Sequence, residues 1–218
     1  MAVPIILSSP SGGGKTTIAH ELLAARKDCG YSVSCTTRSP RPGELNGRDY
    51  YFVAAEDFKA RQKAGDFAES ATVHGHLYGT LRSEVEKVLA SGRNVIMDID
   101  VQGTRQFIKA FPSSLLIFIL PPTSHALIER LEARGTEDIG ALVRRFESAK
   151  AELKALDLYQ FVVVNDKLET AVDAVSAIVD GKGDQFRRSR VKGLDARVKE
   201  LLDGIQRAID QYSKGKGK

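Results

Sequence analysis

Residues 9–17 read Ser9-Pro10-Ser11-Gly12-Gly13-Gly14-Lys15-Thr16-Thr17. They lie between a short apolar run at 2–7 and a helix-like pattern at 16–26. Strand, glycine-rich turn and helix in that order commit the chain to a βα unit whose turn opens onto a helix N-terminus. Three consecutive glycines let the backbone curl with its N–H groups inward, because no Cβ blocks the dihedrals or a ligand's approach. With the positive end of the following helix, those groups make an anion cradle. On this reading Ser11, Gly12, Gly13, Gly14 and Thr17 line the phosphates of a nucleotide. Lys15 reaches its outer phosphates, and the Thr16 hydroxyl ligates Mg²⁺. The usual G-x-x-x-x-G-K-[ST] spacing fails at one position, where Ser9 replaces the first glycine. The plainer alternative is a glycine-rich surface turn beside a lysine.

The rest of the chain alternates short apolar runs with helical periods. The runs fall at 5–7, 31–35, 95–99, 115–120 and 161–164. They are continuous and rich in β-branched residues, as buried parallel strands are. Helical patterns are expected at 81–90, 102–111, 124–133, 138–156 and 168–179, with Ser124 as an N-cap. Such alternation predicts βαβ units and a parallel sheet. Residues 38–80 interrupt it with loops, aromatics, short strand-like pieces at 50–52, 67–72 and 76–78, and a helical pattern at 56–64. They read as a small inserted α+β lobe. A second interruption, Gly135-Thr136 between two charged helices, marks residues 130–145 as a mobile piece.

At 218 residues with 42% hydrophobic and 28% charged content, the chain can bury a core without staples. Cys29 and Cys35 are too few for a disulfide framework and lack zinc-like partners, so they read as reduced thiols. No stretch has the length of a signal peptide core or membrane span, so a cytoplasmic protein is expected. The net charge of +4 is uneven. Residues 181–218 carry 11 Lys and Arg against 5 Asp and Glu, while the remainder carries 21 against 23. Within that tail, Leu194, Val198, Leu201, Leu202, Ile205, Ala208 and Ile209 recur at helical spacing, predicting an amphipathic helix at 195–213. Its apolar face would pack on the domain or on a second subunit. The charge alone is a weak argument for nucleic acid or a membrane.

Two further segments carry chemistry. Asp98 and Asp100 end the apolar run at 95–99. Acids at the carboxyl end of a strand suit a Mg²⁺ site or a substrate contact, and one of them equally suits the cap of the next helix. Arg38 and Arg41 sit three apart on a proline-stiffened loop, an arrangement suited to gripping a phosphate, or else a solvated basic loop. His74 and His76 flank Gly75, but with no third ligand close in sequence they read as structural or solvated.

Taken together, these segments resemble guanylate kinases. The resemblance rests on Pro10-Ser-Gly-Gly-Gly-Lys15, on Ser34-Cys-Thr-Thr-Arg-Ser-Pro-Arg-Pro-Gly-Glu-Leu-Asn-Gly-Arg-Asp-Tyr-Tyr-Phe52, on Asp98-Ile-Asp-Val-Gln-Gly103, on Arg134-Gly-Thr-Glu137 and on Val164-Asn-Asp166. They occur in family order over roughly residues 3–180. The resemblance implies an α/β phosphate-loop nucleoside monophosphate kinase fold: a five-stranded parallel core sheet, an inserted GMP-binding lobe and a mobile lid. It divides residues 1–180 into core (1–33, 81–124, 146–180), lobe (34–80) and lid (125–145), with 181–218 as a helical extension.

The implied activity is Mg²⁺-dependent transfer of the γ-phosphoryl of ATP to GMP, in guanine nucleotide synthesis and recycling. By resemblance, Arg38, Arg41, Tyr50 and Tyr78 grip the GMP phosphate. Ser34, Glu69, Gly79 and Thr80 surround guanine, with Asp98 and Asp100 nearby. Lys15, Arg41 and the lid residues Arg134 and Arg145 serve transfer. Arg130 and Asn165 lie on the ATP side, and Arg144 competes with Arg145 for the lid position. Nothing in the sequence tests the 2′-hydroxyl, so dGMP stays open beside GMP, as does a homodimer. A sugar-phosphate kinase on the same fold, and a non-catalytic binding module, are the alternatives. The former should alter Ser34, Glu69 and Thr80, and the latter should degrade the phosphate loop.

Overall fold

The computed structural model describes residues 2–73, 75–133 and 139–214. His74 and the lid residues Arg134, Gly135, Thr136 and Glu137 lie outside them. In chain order the elements are β1 (Pro4–Ser8), α1 (Lys15–Ala25), β2 (Cys29–Tyr31), β3 (Cys35–Thr36), β4 (Tyr51–Phe52), α2 (Ala55–Ala64), β5 (Phe67–Val73), β6 (His76–Leu81), α3 (Arg82–Ala90), β7 (Asn94–Asp98), α4 (Val101–Ala110), β8 (Leu115–Leu120), α5 (Ser124–Ala133), α6 (Ile139–Lys154), β9 (Phe161–Val164), α7 (Leu168–Val179) and α8 (Leu194–Lys214). A five-stranded parallel sheet has the order β2-β7-β1-β8-β9. Its strands are the continuous apolar runs, and Ile5, Ile6, Leu7, Val95, Ile96, Ile117, Phe118, Ile119 and Leu120 are fully enclosed. A second sheet has the order β4-β3-β6-β5.

The chain forms two compact units. One comprises residues 1–6 and 23–115. In it β2 pairs parallel with β7, Cys29 opposite Asn94. Its second sheet joins β5 and β6 as antiparallel neighbours with a bulge between Phe67 and Glu69. A small core of Cys35, Phe58, Phe67 and Leu81 sits under that sheet, with the Phe58 and Phe67 rings stacked 4.4 Å apart. The other unit comprises residues 7–22 and 116–218. In it β8 and β9 pair in parallel, Ile117 opposite Phe161, and α5, α6 and α8 pack together.

Two expectations need correction. The run at 31–35 is not one strand: the chain leaves the first sheet after Tyr31 and pairs again at Cys35 in the second sheet. Pairing stops at Tyr31 and resumes in the other sheet at Cys35, so residues 32–34 form the crossing. The N-cap of α5 is Thr123, whose hydroxyl accepts from Ala126 N at 3.2 Å, and Ser124 is instead the first helical residue. The amphipathic tail helix expected at 195–213 is α8, and of its two expected packings the structure shows the one on the chain's own domain, with Leu201, Ile205, Ala208 and Ile209 buried and α8 against α5 and α6. No described helix is long and apolar enough to cross a membrane.

Candidate active site

The glycine-rich loop joins the end of β1 to the start of α1. Gly12 and Gly14 adopt φ of +83° and +92°, the left-handed region that side chains rarely enter. Three tethers fix the loop from within its own unit. Gly13 N donates to the Pro10 carbonyl at 2.8 Å, closing a tight turn. Asn165 follows β9, is 7% exposed, and donates its side-chain amide to the Gly13 carbonyl at 3.0 Å. A Cβ on Gly14 would stand 2.4 Å from that same amide nitrogen. Ser11 N donates to Glu152 of α6 at 2.9 Å. Ser9 is enclosed and hydrogen-bonds the Pro10 carbonyl at 2.9 Å. Lys15 is half-buried, and Thr16 and Thr17 are exposed on the first turn of α1. The chain therefore presents a tethered glycine-rich turn at a helix N-terminus, the position that suits an anion, with Ser11 N and Gly13 N already donated within the chain.

Around the same loop, the β-carbon of Arg130 lies 3.5 Å from where a Cβ on Gly12 would sit. On α6, Arg144 is exposed and Arg145 half-buried. Arg134 falls outside the described residues.

In the other unit, Glu69 is 6% exposed. The bulge that precedes it sets it opposite Thr80. Gln106 of α4 pins the strand beside it, accepting from Ser70 N at 3.2 Å and donating to Ser70 O at 2.8 Å. The Thr80 hydroxyl donates to Glu69 Oε1 at 2.7 Å. Its single proton is thereby used, so Ser34, at 3.1 Å, is the donor to Thr80 Oγ1. Burial, with Asp100 as a minor contributor, pushes the Glu69 carboxyl up to about 7, against the Thr80 hydrogen bond that favours its ionised form. A Cβ on Gly103 would come within 2.6 Å of Glu69 Oε2, so the first turn of α4 closes directly on the carboxylate. Asp100 caps that helix, accepting from Gly103 N at 2.7 Å. Asp98 accepts from the Tyr31 hydroxyl at 2.9 Å. Gly79 is packed against the rings of Phe67 and Phe58, which a Cβ there would crowd to 2.9 and 3.0 Å.

A cationic patch lies in the same unit. Arg38 is 9% exposed, and its two terminal nitrogens each donate to one oxygen of Glu44 at 2.6 Å. Glu44 also accepts from Arg41 N at 2.7 Å. The Arg38 guanidinium sits 5.0 Å from the centre of the Tyr50 ring and 5.6 Å from that of Phe52. Tyr50 meets Tyr78 edge-on at 5.9 Å. The Arg38 fork lowers Glu44 to about 2, and Glu44 in turn raises Arg38. Burial, with Asp98 beside it, raises Tyr50 to about 12. The Arg41 side chain is exposed. Thus Arg38, Tyr50 and Tyr78 come together, as do Ser34, Glu69 and Thr80. Sequence reasoning left Glu44 and Glu152 without roles. Glu44 carries a local signal, an acid three residues beyond Arg41 across a Pro-Gly turn, whereas Glu152 is 141 residues from its partner Ser11.

Comparison with known proteins agrees with this geometry. The guanylate kinase family model matches residues 1–182. A guanylate kinase of Thermotoga maritima is 43% identical over 187 residues, covering 86% of this chain and 90% of its own. One of Clostridium perfringens is 41% identical over 203 residues, covering 93% and 94%. The crystal structure of guanylate kinase from Anaplasma phagocytophilum superposes with a TM-score of 0.68 at 33% identity, covering 93% of this chain and 94% of that one. With its family model matched over residues 1–182 and a relative 43% identical over most of both lengths, the chain belongs to the guanylate kinase family.

Proposed function

We infer that the chain catalyses transfer of the γ-phosphoryl group of ATP to GMP, giving ADP and GDP. The observation that carries this reading is the buried Glu69 carboxylate, fixed by Thr80 and hemmed in by Gly103. Guanine presents two adjacent donors, N1–H and the 2-amino group, that one carboxylate can accept. Adenine lacks the pair and would leave a buried charge unmatched, and a site of this kind rejects the wrong base by about four orders of magnitude. Ser34 and Thr80 belong to the same hydrogen-bonded set, which a sugar-phosphate acceptor would not need. Asp98 and Asp100 border it. Arg38, Arg41, Tyr50 and Tyr78 hold the acceptor phosphate, supported by the cation and two hydroxyls gathered there. The Arg38 guanidinium is fixed in place by its pair with Glu44, which also offsets part of its charge.

On the donor side, residues 11–17 cradle the phosphates and Asn165 braces the loop. Phosphoryl transfer needs little covalent help from a protein; positioning and charge stabilisation supply most of the rate. Lys15 places its ammonium on the outer phosphates. Arg130, Arg134 and Arg145 are assigned to the charge on the transferred group, within a lid at 125–145. Mg²⁺ suits the donor set, because Thr16 carries a hydroxyl on the exposed first turn of α1 and this ion takes few protein ligands, relying on phosphates and water. When bound, it would neutralise phosphate charge. The two buried free thiols and the use of ATP support a cytoplasmic location.

The decisive experiment measures ADP formation from ATP and Mg²⁺ with GMP, AMP, CMP or UMP, using the wild type and Lys15→Ala. Activity with GMP alone, reduced about a hundredfold or more in the variant, is expected. A folded protein inactive with all four would overturn the reading.

A further inference from the structure

The last helix, α8, lies beyond the residues matched by the family model. It nevertheless grips both helices that touch the phosphate loop. At the start of α5, the Glu200 carboxylate accepts from Ser124 N at 3.3 Å and from Ser124 Oγ at 2.5 Å. Ser124 N is among the helix donors that no carbonyl of α5 can take, and an anion there also favours the positive helix end. One turn further along α8, Gly204 lies flush against the same residue: a Cβ at 204 would fall 2.2 Å from Ser124 Cβ. Glycine is a poor residue for a helix interior, so its use here tracks the close approach. At the far end, the Tyr212 hydroxyl donates to Glu132 at 2.7 Å, so α5 is held near both ends. The Tyr212 ring packs on Phe146 of α6, and Lys150 of α6 hydrogen-bonds Gln206.

Those two helices then touch the loop from separate directions. Leu127 and Leu131 of α5, with the base of Arg130, border Gly12 at 3.5–3.6 Å from a notional Cβ. Glu152 of α6 takes Ser11 N. We propose that Glu200 and Gly204 are positioning residues for ATP: through Ser124 they fix α5 against Gly12, so that α8 sets the shape of the phosphate loop. The proposal rests on the reading that this loop binds ATP. A mere packing helix would support the fold as a whole, whereas a positioning helix should affect the donor nucleotide selectively.

The test uses the full chain with Glu200→Ala, Ser124→Ala, their double variant and Gly204→Ala. Lys199→Ala, an exposed change on α8, serves as a neutral control, and Lys15→Ala tests the loop itself. KM is measured separately for ATP and GMP, with melting temperature alongside. Glu200→Ala should raise KM for ATP about three- to tenfold and leave KM for GMP within twofold. Ser124→Ala should do the same, and the double variant should add little, because both remove one contact. Lys199→Ala should match the wild type. Lowered melting temperature with both KM values unchanged, or both raised together, would reduce α8 to a structural element and overturn the proposal. If Gly204→Ala does not fold, Glu200→Ala decides alone. If Lys15→Ala leaves ATP binding intact, the loop reading fails and takes this proposal with it. If Lys15→Ala abolishes ATP binding while Glu200→Ala changes nothing, only the positioning role fails.

Discussion

Ser9 occupies the space that a side chain on Gly13 would need: a Cβ at 13 would lie 2.6 Å from Ser9 Cβ and 2.8 Å from its hydroxyl. The departure from the usual loop pattern and the middle one of the three consecutive glycines are thus one feature. Gly13→Ala should therefore weaken ATP binding at least tenfold, the equivalent of about 1.4 kcal/mol. Ser9→Gly alone should be nearly silent, and Ser9→Gly combined with Gly13→Ala should recover a good part of the loss. KM for ATP in the four proteins of this cycle checks the coupling.

Glu69 makes both stability and substrate affinity depend on pH, in opposite senses. Burial raises its folded pKa to about 7, above the ordinary glutamate value of 4.5. The folded, ligand-free protein therefore holds a proton that the unfolded chain releases. Stability from this group is complete below pH 4.5 and is lost as pH rises through 7, by up to about 3 kcal/mol. Glu69→Gln should flatten that decline, matching the wild type at pH 4 and exceeding it at pH 8 in denaturant titrations. On the reading that guanine donates to this carboxylate, binding must displace the proton. KM for GMP should rise toward about tenfold per pH unit below 7, and Glu69→Gln should lose the guanine preference.

Asn165 joins β9 to the loop through one hydrogen bond to Gly13. Asn165→Ala leaves a buried carbonyl without its partner, at a cost of about 1–3 kcal/mol. KM for ATP should rise and KM for GMP should not. Gly14→Ala should be harsher, because both the +92° dihedral and the Asn165 amide oppose a side chain.

Arg38→Lys keeps the charge but removes the planar fork that engages both oxygens of Glu44. KM for GMP should rise about tenfold, close to 1.4 kcal/mol. Affinity for guanosine, which lacks the phosphate, should not change. Isothermal titration with the two ligands separates these outcomes.

Much of this architecture is legible in the sequence because its signals are local. The 3.6 period of Ala171, Ala174, Val175 and Ile178 marks α7 over its observed length, and Leu115–Leu120 is a strand as written. The run at 31–35 misleads because hydrophobicity does not say which sheet a residue pairs with. Thr123 and Ser124 are both fit to cap α5, and only the fold gives the cap to Thr123 while sending Ser124 to Glu200, 76 residues away. Glu69 carries no local sign of its environment. Thr80 and Gly103 reach it from other elements, Gln106 pins the neighbouring Ser70, and burial raises its pKa. For Asp98 and Asp100, both sequence readings stay compatible with what their side chains do, one accepting from Tyr31 and the other capping α4.

The tethers of the phosphate loop also set an order of events in time. Ser11 and Gly13 are made near the beginning of synthesis, yet their partners Glu152 and Asn165 lie 141 and 152 residues downstream. Contacts so distant along the chain form slowly and late. A nascent or refolding chain holds its loop glycines long before anything fixes them. On the reading that this loop holds ATP, a chain that ends before Asn165 should lack the bond that fixes Gly13 and retain the nucleotide poorly.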